Sequence, residues 1–330
     1  VIEPTHFNMF LPSDHPDFPW IGMVFAPPII GVWYWCTDQY IVQRVLSAKN
    51  VSEARKGTIF AGYLKLLPIF MFFIPGLIAY AMTKTGQLNY GSSDQVFPTL
   101  VRELLPSGIR GLVAGGLLAA LMSSLSSVFN SCSTLFTMDI YKKLYPKTNE
   151  KKLVFVGRIA TGIVVLSGIL WIPFIKVVSG AGLYTYLQSV QAYIAPPIAS
   201  VFLLGLFWSR INASGALAAL VGGFMAGMIR LGLEITKSTL SVDGIWYQIA
   251  DLNFLYFAIF SFLTCVIVLI TVSMLTPPPN LEKINGLTYD TSKKNIAEAD
   301  HLKSDKINSY IILAILALIL IYFSPIGIGG

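Results

Sequence analysis

A run of small hydroxyl side chains stands inside an apolar segment that is long enough to cross a membrane. Between residues 119 and 134, seven Ser and Thr residues and one Asn interrupt the apolar sequence. At helical spacing, four of them share one face: Ser123, Ser127, Asn130 and Thr134. Such a stripe faces another helix, water, or a bound cation and solute. Spacing alone favours packing between helices, because Ser and Thr commonly serve that role in membranes.

A second segment combines aromatic rings with amide and acidic side chains. Residues 31–44 have the sequence GVWYWCTDQYIVQR. Aromatic rings stack on the apolar faces of sugar rings, and amides and acids bind hydroxyl groups, so this composition suits a neutral polyol. A belt of aromatic residues at the membrane interface explains the rings but gives no role to Asp38 and Gln39. The same theme recurs in YTYLQ at residues 184–188.

Lys65 is the basic residue most informative about function, because it lies inside an apolar segment. An ammonium group buried in the membrane costs at least about 2.5 kcal/mol, so it needs water or a polar partner. The side chain either extends to the cytoplasmic surface or faces a water-filled cavity, where it binds a hydroxyl group of a solute. The sequence leaves both possibilities open.

Composition identifies a polytopic α-helical membrane protein. Of the 330 residues, 55% are hydrophobic and 12% are charged, whereas about a quarter are charged in a soluble domain. Several apolar segments exceed the roughly 20 residues that span the hydrocarbon, and they lack the alternation of a barrel strand. The cysteines show neither a disulfide framework nor metal-site spacing; they are Cys36, Cys132 and Cys265.

Eight membrane helices are predicted from the apolar segments. Their predicted ranges are 20–46, 57–82, 108–141, 153–175, 182–208, 213–233, 254–275 and 307–323. Residues 1–19 predict an extracellular loop, 96–106 a short surface helix, and 277–306 a cytoplasmic linker. Paired prolines at 27–28 and 196–197 predict a kink or interruption in the first and fifth helices.

Basic residues predict the orientation of these helices. The loops after helices one, three, five and seven hold 15 Lys and Arg residues, against 5 in the intervening loops. The richer loops are therefore cytoplasmic, and helix one enters from outside. Because the chain starts outside and without Met, a preceding segment is expected, with an odd number of spans if the full protein starts in the cytoplasm. The basic residues follow this topology rather than forming a patch, so nothing supports nucleic-acid binding.

Several short motifs are spread over most of the chain. They include YWCTDQ at 34–39, GYLKL at 62–66, MSSL at 122–125, STLFTMDIY at 133–141, PPIA at 196–199 and VFLLGLFW at 201–208. Together these motifs resemble the sodium/glucose cotransporters of the solute:sodium symporter family. They occur in the family's order, and their combination is specific although each alone is weak.

The resemblance implies an all-α fold with two inverted five-helix repeats, first described for the bacterial leucine transporter. Residues 20–208 correspond to the second repeat, and residues 209–330 to three peripheral transmembrane helices. The first repeat is not in this sequence. The resemblance therefore implies an N-terminal half of the same polypeptide as a partner, and the chain alone is expected not to transport.

The resemblance also implies which residues bind sodium. Ala120, Ser123 and Ser124 match the family's conserved sodium site, where an alanine carbonyl joins two adjacent serines. Ser126 and Ser127 match positions implicated in a second sodium site in some members. Hydroxyl and carbonyl oxygens are hard, neutral donors, which hold a small cation without trapping it as a carboxylate cage would.

The implied solute contacts lie on three predicted helices. Tyr34 matches an inner gate that stacks below the sugar, and Trp35 follows it as in the family. Lys65 and Gln188 match contacts to sugar hydroxyl groups. Tyr184 matches an aromatic residue of the outer gate.

The implied function is sodium-coupled symport of a sugar or similar neutral polyol across the plasma membrane, by alternating access. Sodium is the coupling ion, and no other cofactor is expected. Gly31 replaces a sugar-binding asparagine of a bacterial family member, which leaves the sugar open. One alternative is a symporter of the same fold for inositol, an anion or a vitamin; another is a sodium or sugar sensor that does not transport.

No HExxH, GxSxG, P-loop or paired-carboxylate motif supports an enzyme.

Overall fold

The computed structural model describes residues 2–178, 182–289, 291–292 and 302–330. Within these residues the regular structure is entirely helical. Eight helices of this part of the chain are long and apolar enough to cross a membrane. The predicted class, an all-α polytopic membrane protein, is confirmed.

The eight membrane helices are numbered in chain order. They are α1 (Trp20–Thr37), α2 (Val51–Lys84), α3 (Ser107–Leu144), α4 (Glu150–Val178), α5 (Leu183–Phe207), α6 (Ala213–Ile235), α7 (Phe254–Leu275) and α8 (Leu302–Tyr322). The range of α7 agrees with the prediction, and most other ends shift by a few residues. The predicted surface helix is also present, at Val96–Leu104.

The break in the first membrane segment lies at Asp38 and not at the proline pair. The segment is α-helical over Trp20–Val32, π-helical over Trp33–Thr37, extended at Asp38 and α-helical again over Gln39–Leu46. Both prolines lie inside the first of these helices. A π-helical turn contains one more residue than an α-helical turn, so the side chains around it point in new directions. Such turns are frequent at functional sites.

The predicted interruption of α5 at its proline pair is wrong, because the helix continues through Pro196 and Pro197. Pro197 has no N–H to donate to the carbonyl of Tyr193, four residues earlier. Gly227 of α6 approaches that carbonyl so closely that a Cβ there would lie 2.5 Å from the Tyr193 oxygen. The neighbouring helix α6 thus packs directly on the carbonyl that the proline leaves without its donor.

The chain divides into two compact units, Val1–Phe72 with Leu187–Gly330, and Phe73–Tyr186. In the first unit, α1, α5 and α7 share a core that includes Ala26, Ala192 and Ala258, each with no exposed surface. In the second, Leu100 of the surface helix forms a core with Ala79 and Leu88. The division of the chain at residue 208 into a repeat bundle and peripheral helices stays a prediction.

Contacts within the first unit agree with the predicted alternation of helix ends. The Tyr256 hydroxyl donates to the Ser13 carbonyl, and Met9 N–H donates to the Phe323 carbonyl. The loop before α1 therefore meets the start of α7 and the end of α8, which are all predicted to be extracellular. Within the predicted linker, Leu281–Ile284 forms a helical turn, and residues 290 and 293–301 lie outside the described residues.

Candidate functional site

The sodium-site candidates lie on α3, on a helix surface that the chain leaves open. Ala120, Ser123 and Ser124 are exposed, and Ser127 is half-buried. The Ser127 hydroxyl donates to the Ser123 carbonyl at 3.0 Å, which orients it along the helix. The helix thus presents a backbone carbonyl and hydroxyl oxygens along one surface, and a complete cation site needs further oxygens from another element.

The C-terminal part of α3 packs against α4. Ser131 is the one buried residue of the fully described stretch Ser107–Thr134, and the Ser133 hydroxyl donates to the Gly157 carbonyl at 2.8 Å. Gly157 permits this approach, because a Cβ there would lie 3.0 Å from the Ser133 oxygen. Asn130 and Thr134 of the stripe are exposed within this chain, so their role as packing contacts stays a prediction.

The aromatic candidates stand on the π-helical turn of α1. The Tyr34 ring lies 5.1 Å from the Trp35 ring at an angle of 89°, an edge-to-face arrangement that aromatic pairs favour. The Tyr34 and Tyr40 hydroxyls lie 2.7 Å apart in a hydrogen bond. Tyr34 is half-buried and Trp35 is 44% exposed, so the turn offers an aromatic surface that a solute can reach.

Tyr40 is a member of this cluster that sequence reasoning missed. A spacing of six residues places Tyr34 and Tyr40 on different faces of a regular α-helix. The π-helical turn and the extended backbone at Asp38 bring them together. The sequence signal was the group of aromatic residues beside Asp38 in an apolar segment. That signal did not show that Tyr34 and Tyr40 form a pair.

Lys65 of α2 meets this aromatic cluster. Its Nζ lies 5.2 Å from the centre of the Trp35 ring, within the range of a cation–π interaction. No carboxylate of the described residues forms an ion pair with Lys65. The ammonium group therefore keeps N–H donors for hydroxyl groups of a ligand.

The α5 candidates fall in different compact units. Gln188 is half-buried in the first unit, and Tyr184 is 62% exposed in the second. Within the second unit, the Asp94 carboxylate accepts the Leu183 N–H at 3.1 Å, and the Trp171 indole N–H donates to the Tyr186 hydroxyl at 3.0 Å. These bonds hold the first turn of the helix that carries Tyr184.

A buried polar network joins α5, α6 and α7, and the sequence did not reveal its partners. Arg230 is 3% exposed, and its Nη1 lies 3.8 Å from Glu234 Oε2. The Tyr193 hydroxyl donates to the same oxygen at 2.5 Å. The guanidinium carbon lies 5.5 Å and 5.9 Å from the rings of Tyr193 and Phe257. The four-residue spacing of Arg230 and Glu234 was the available signal.

The sequence that carries these site candidates is similar to known proteins. Residues 1–223 match the sodium:solute symporter family, which is more than half of the chain. The chain belongs to this family. The resemblance carried by the sequence motifs is confirmed, and this family member is a multi-pass protein of the cell membrane.

Two kinds of relative are similar to this family member at nearly equal identity. The sodium/myo-inositol cotransporter 2 of Mus musculus is 39% identical over 310 residues, which are 89% of this chain and 46% of the relative. The sodium/glucose cotransporter 1 of Ovis aries is 42% identical over 293 residues, which are 82% of this chain and 43% of the relative. The chain thus spans about half the length of the curated relatives it matches. Their names describe cotransport rather than catalysis.

Proposed function

We propose that this family member carries out sodium-coupled symport of a neutral polyol, such as a hexose or a cyclitol. The observation that carries the proposal is the position of the Lys65 ammonium above Trp35, beside Tyr34. Aromatic rings bind the C–H faces of a polyol, while the ammonium donates to its hydroxyl groups. Relatives named for myo-inositol and for glucose support the same class of solute.

The Lys65–Trp35 contact favours a neutral solute over an anion. The face of an aromatic ring carries the negative end of its quadrupole, which attracts the ammonium group. An anion at the same ammonium would lie close to that negative face and lose part of the attraction. A hydroxyl group accepts the ammonium N–H without this penalty. We therefore rank a sugar or cyclitol above an anionic solute or vitamin.

Sodium is the proposed coupling ion, held by the exposed surface of α3. Ala120 supplies a carbonyl oxygen whose second lone pair is outside the helix hydrogen bond. Ser123 and Ser124 supply hydroxyl groups, and Ser127 belongs to a second position. The remaining oxygens come from an N-terminal half of the same polypeptide, against which this surface packs. Sodium binding then favours one conformation of the transporter. The solute prefers the same conformation, so the binding of sodium and the binding of the solute strengthen each other.

Alternating access follows from the proposed repeat organisation. We assign residues 20–208 to the second inverted repeat and residues 209–330 to the peripheral helices. Transporters of this type move one repeat-derived bundle against the other around a site at the middle of the membrane. Gln188 and Tyr34 are assigned to that site, with Tyr34 and Tyr184 as the inner and outer gates.

An uptake assay on the full-length polypeptide tests the proposal. Vesicles are loaded with a sodium gradient or an equal choline gradient, and uptake of labelled glucose, galactose, myo-inositol and an organic anion is compared. We expect sodium-dependent uptake of at least one neutral polyol. Uptake of the anion alone, or binding of a polyol without uptake, would overturn the proposal. Vesicles that contain only these 330 residues should take up none of the four solutes.

A further inference from the structure

The loop that joins α3 to α4 concentrates positive charge at the predicted cytoplasmic surface. Residues 142–152 contain a single carboxylate, Glu150, and five lysines: Lys142, Lys143, Lys147, Lys151 and Lys152. All five lysine side chains are exposed.

The charge of this loop is mostly uncompensated. Lys143 lies 3.8 Å from the Asp139 carboxylate, whereas no carboxylate of the described residues pairs with the other four lysines. The start of α2 differs, because Lys56 pairs there with Glu53 at 3.0 Å. An anionic partner would therefore find open ammonium groups in the α3–α4 loop.

The loop encloses an open cleft of about 560 Å³ between two of these lysines. Lys147 and Lys152 line it together with Tyr145, Thr148 and Asn149. The Thr148 hydroxyl donates to the Tyr145 carbonyl at 2.8 Å, and Asn149 Oδ1 accepts the Lys152 N–H at 2.9 Å. The cleft thus lies at the capped N-terminus of α4, where the helix dipole adds to the positive field.

Apolar side chains beside the cleft place it at the membrane surface. Leu144 and Tyr145 line its edge and are 69% and 58% exposed. Leu144 is the last residue of α3, and Tyr145 is the first residue after it. Their side chains therefore reach the boundary between acyl chains and headgroups. A soluble anion uses only the lysines, whereas a lipid also uses this apolar edge.

We propose that this cleft binds the headgroup of a polyphosphoinositide in the cytoplasmic leaflet. Basic pockets at the cytoplasmic ends of membrane helices suit such headgroups. Lysines act as compact point charges toward phosphate oxygens. Clustered phosphates engage Lys147 and Lys152 from one lipid, while the acyl chains lie along Leu144. The site is separate from the proposed solute and sodium residues, so the inference stands independently of the transported solute.

A lipid-binding assay on the full-length polypeptide tests this site. The protein is placed in phosphatidylcholine nanodiscs, and its affinity for labelled phosphatidylinositol bisphosphate is measured by native mass spectrometry and by fluorescence. The double variant K147Q/K152Q should bind the lipid about 25-fold more weakly, from about 1 kcal/mol for each lysine near the surface. The matched control K49Q/K56Q removes the same charge around the start of α2 and should change affinity less than threefold.

Each contrary outcome overturns the inference. An equal loss in the control would mean that the lipid responds only to total charge. Equal binding of phosphatidylserine at matched lipid charge would remove the requirement for clustered phosphates. Tighter binding of soluble inositol bisphosphate than of the lipid would assign the cleft to a soluble anion. If the double variant fails to fold, the single variants K147Q and K152Q are used, each with an expected loss of about fivefold.

Discussion

The Lys65 ammonium lies 5.2 Å from the centre of the Trp35 ring, although the two residues belong to different membrane helices. Trp35 sits on a π-helical turn, next to Tyr34, whose hydroxyl meets that of Tyr40. A cation, an aromatic face and a hydroxyl pair therefore lie within one part of the first compact unit. This arrangement leads to the first two of four predictions.

Removing the Lys65 side chain should weaken solute transport strongly. We expect Lys65→Ala to lower kcat/KM for the solute by roughly 10- to 100-fold, because hydrogen bonds from a charged group contribute about 1.5–3 kcal/mol. Sodium-dependent uptake of the full-length polypeptide is the measurement. Lys56→Ala is the matched control, since an exposed ion pair on the same helix contributes little. Equal effects of the two substitutions would contradict the assignment.

The hydroxyl pair of Tyr34 and Tyr40 should act as a unit. Each single change to Phe removes the same hydrogen bond, so each should raise the solute KM about fivefold, from about 1 kcal/mol per bond. The double change should be little worse than either single change. A double-mutant cycle on the solute KM provides the measurement. Additive effects would show that the two hydroxyl groups do not cooperate in solute binding.

Ser124→Ala should lower the apparent sodium affinity by removing a proposed hydroxyl ligand. The measurement is the sodium concentration that gives half-maximal uptake, at a fixed solute concentration. Ser133→Ala serves as the control. Ser133 is on the same helix as Ser124, but its hydroxyl donates to the Gly157 carbonyl of α4. That control should lose about 1 kcal/mol of stability while its sodium dependence stays unchanged. An unchanged sodium dependence in Ser124→Ala would remove this residue from the site.

Gly227→Ala should destabilise the helix pair α5–α6. The added Cβ would lie 2.5 Å from the Tyr193 carbonyl oxygen, and such overpacking costs about 1–3 kcal/mol. Thermal unfolding of the purified protein in detergent measures the effect as a lower Tm. Gly222→Ala lies five residues earlier on the same helix and meets no atom within 4 Å. Its Tm should stay the same or rise slightly, because Ala favours the helix more than Gly does. The reverse order would contradict the described packing.

Apolar length was enough to predict the membrane helices, because a span requires a fixed thickness of hydrocarbon. The range of α7 agrees with its prediction. Proline pairs were a weaker guide. Proline removes one local hydrogen bond, but whether the helix then breaks depends on its packing in the folded chain. At Pro197 the helix continues, with Gly227 of α6 packed against the freed carbonyl.

Residue types and their order along the chain were also sufficient for the family. The motifs around Tyr34, Lys65 and Ser123 carried that resemblance before any contact was known. Only the tertiary structure decided which of these side chains meet. The Lys65–Trp35 contact and the Arg230–Glu234–Tyr193 network each join segments far apart in sequence. Helical periodicity describes one element at a time, whereas such contacts depend on the packing of several.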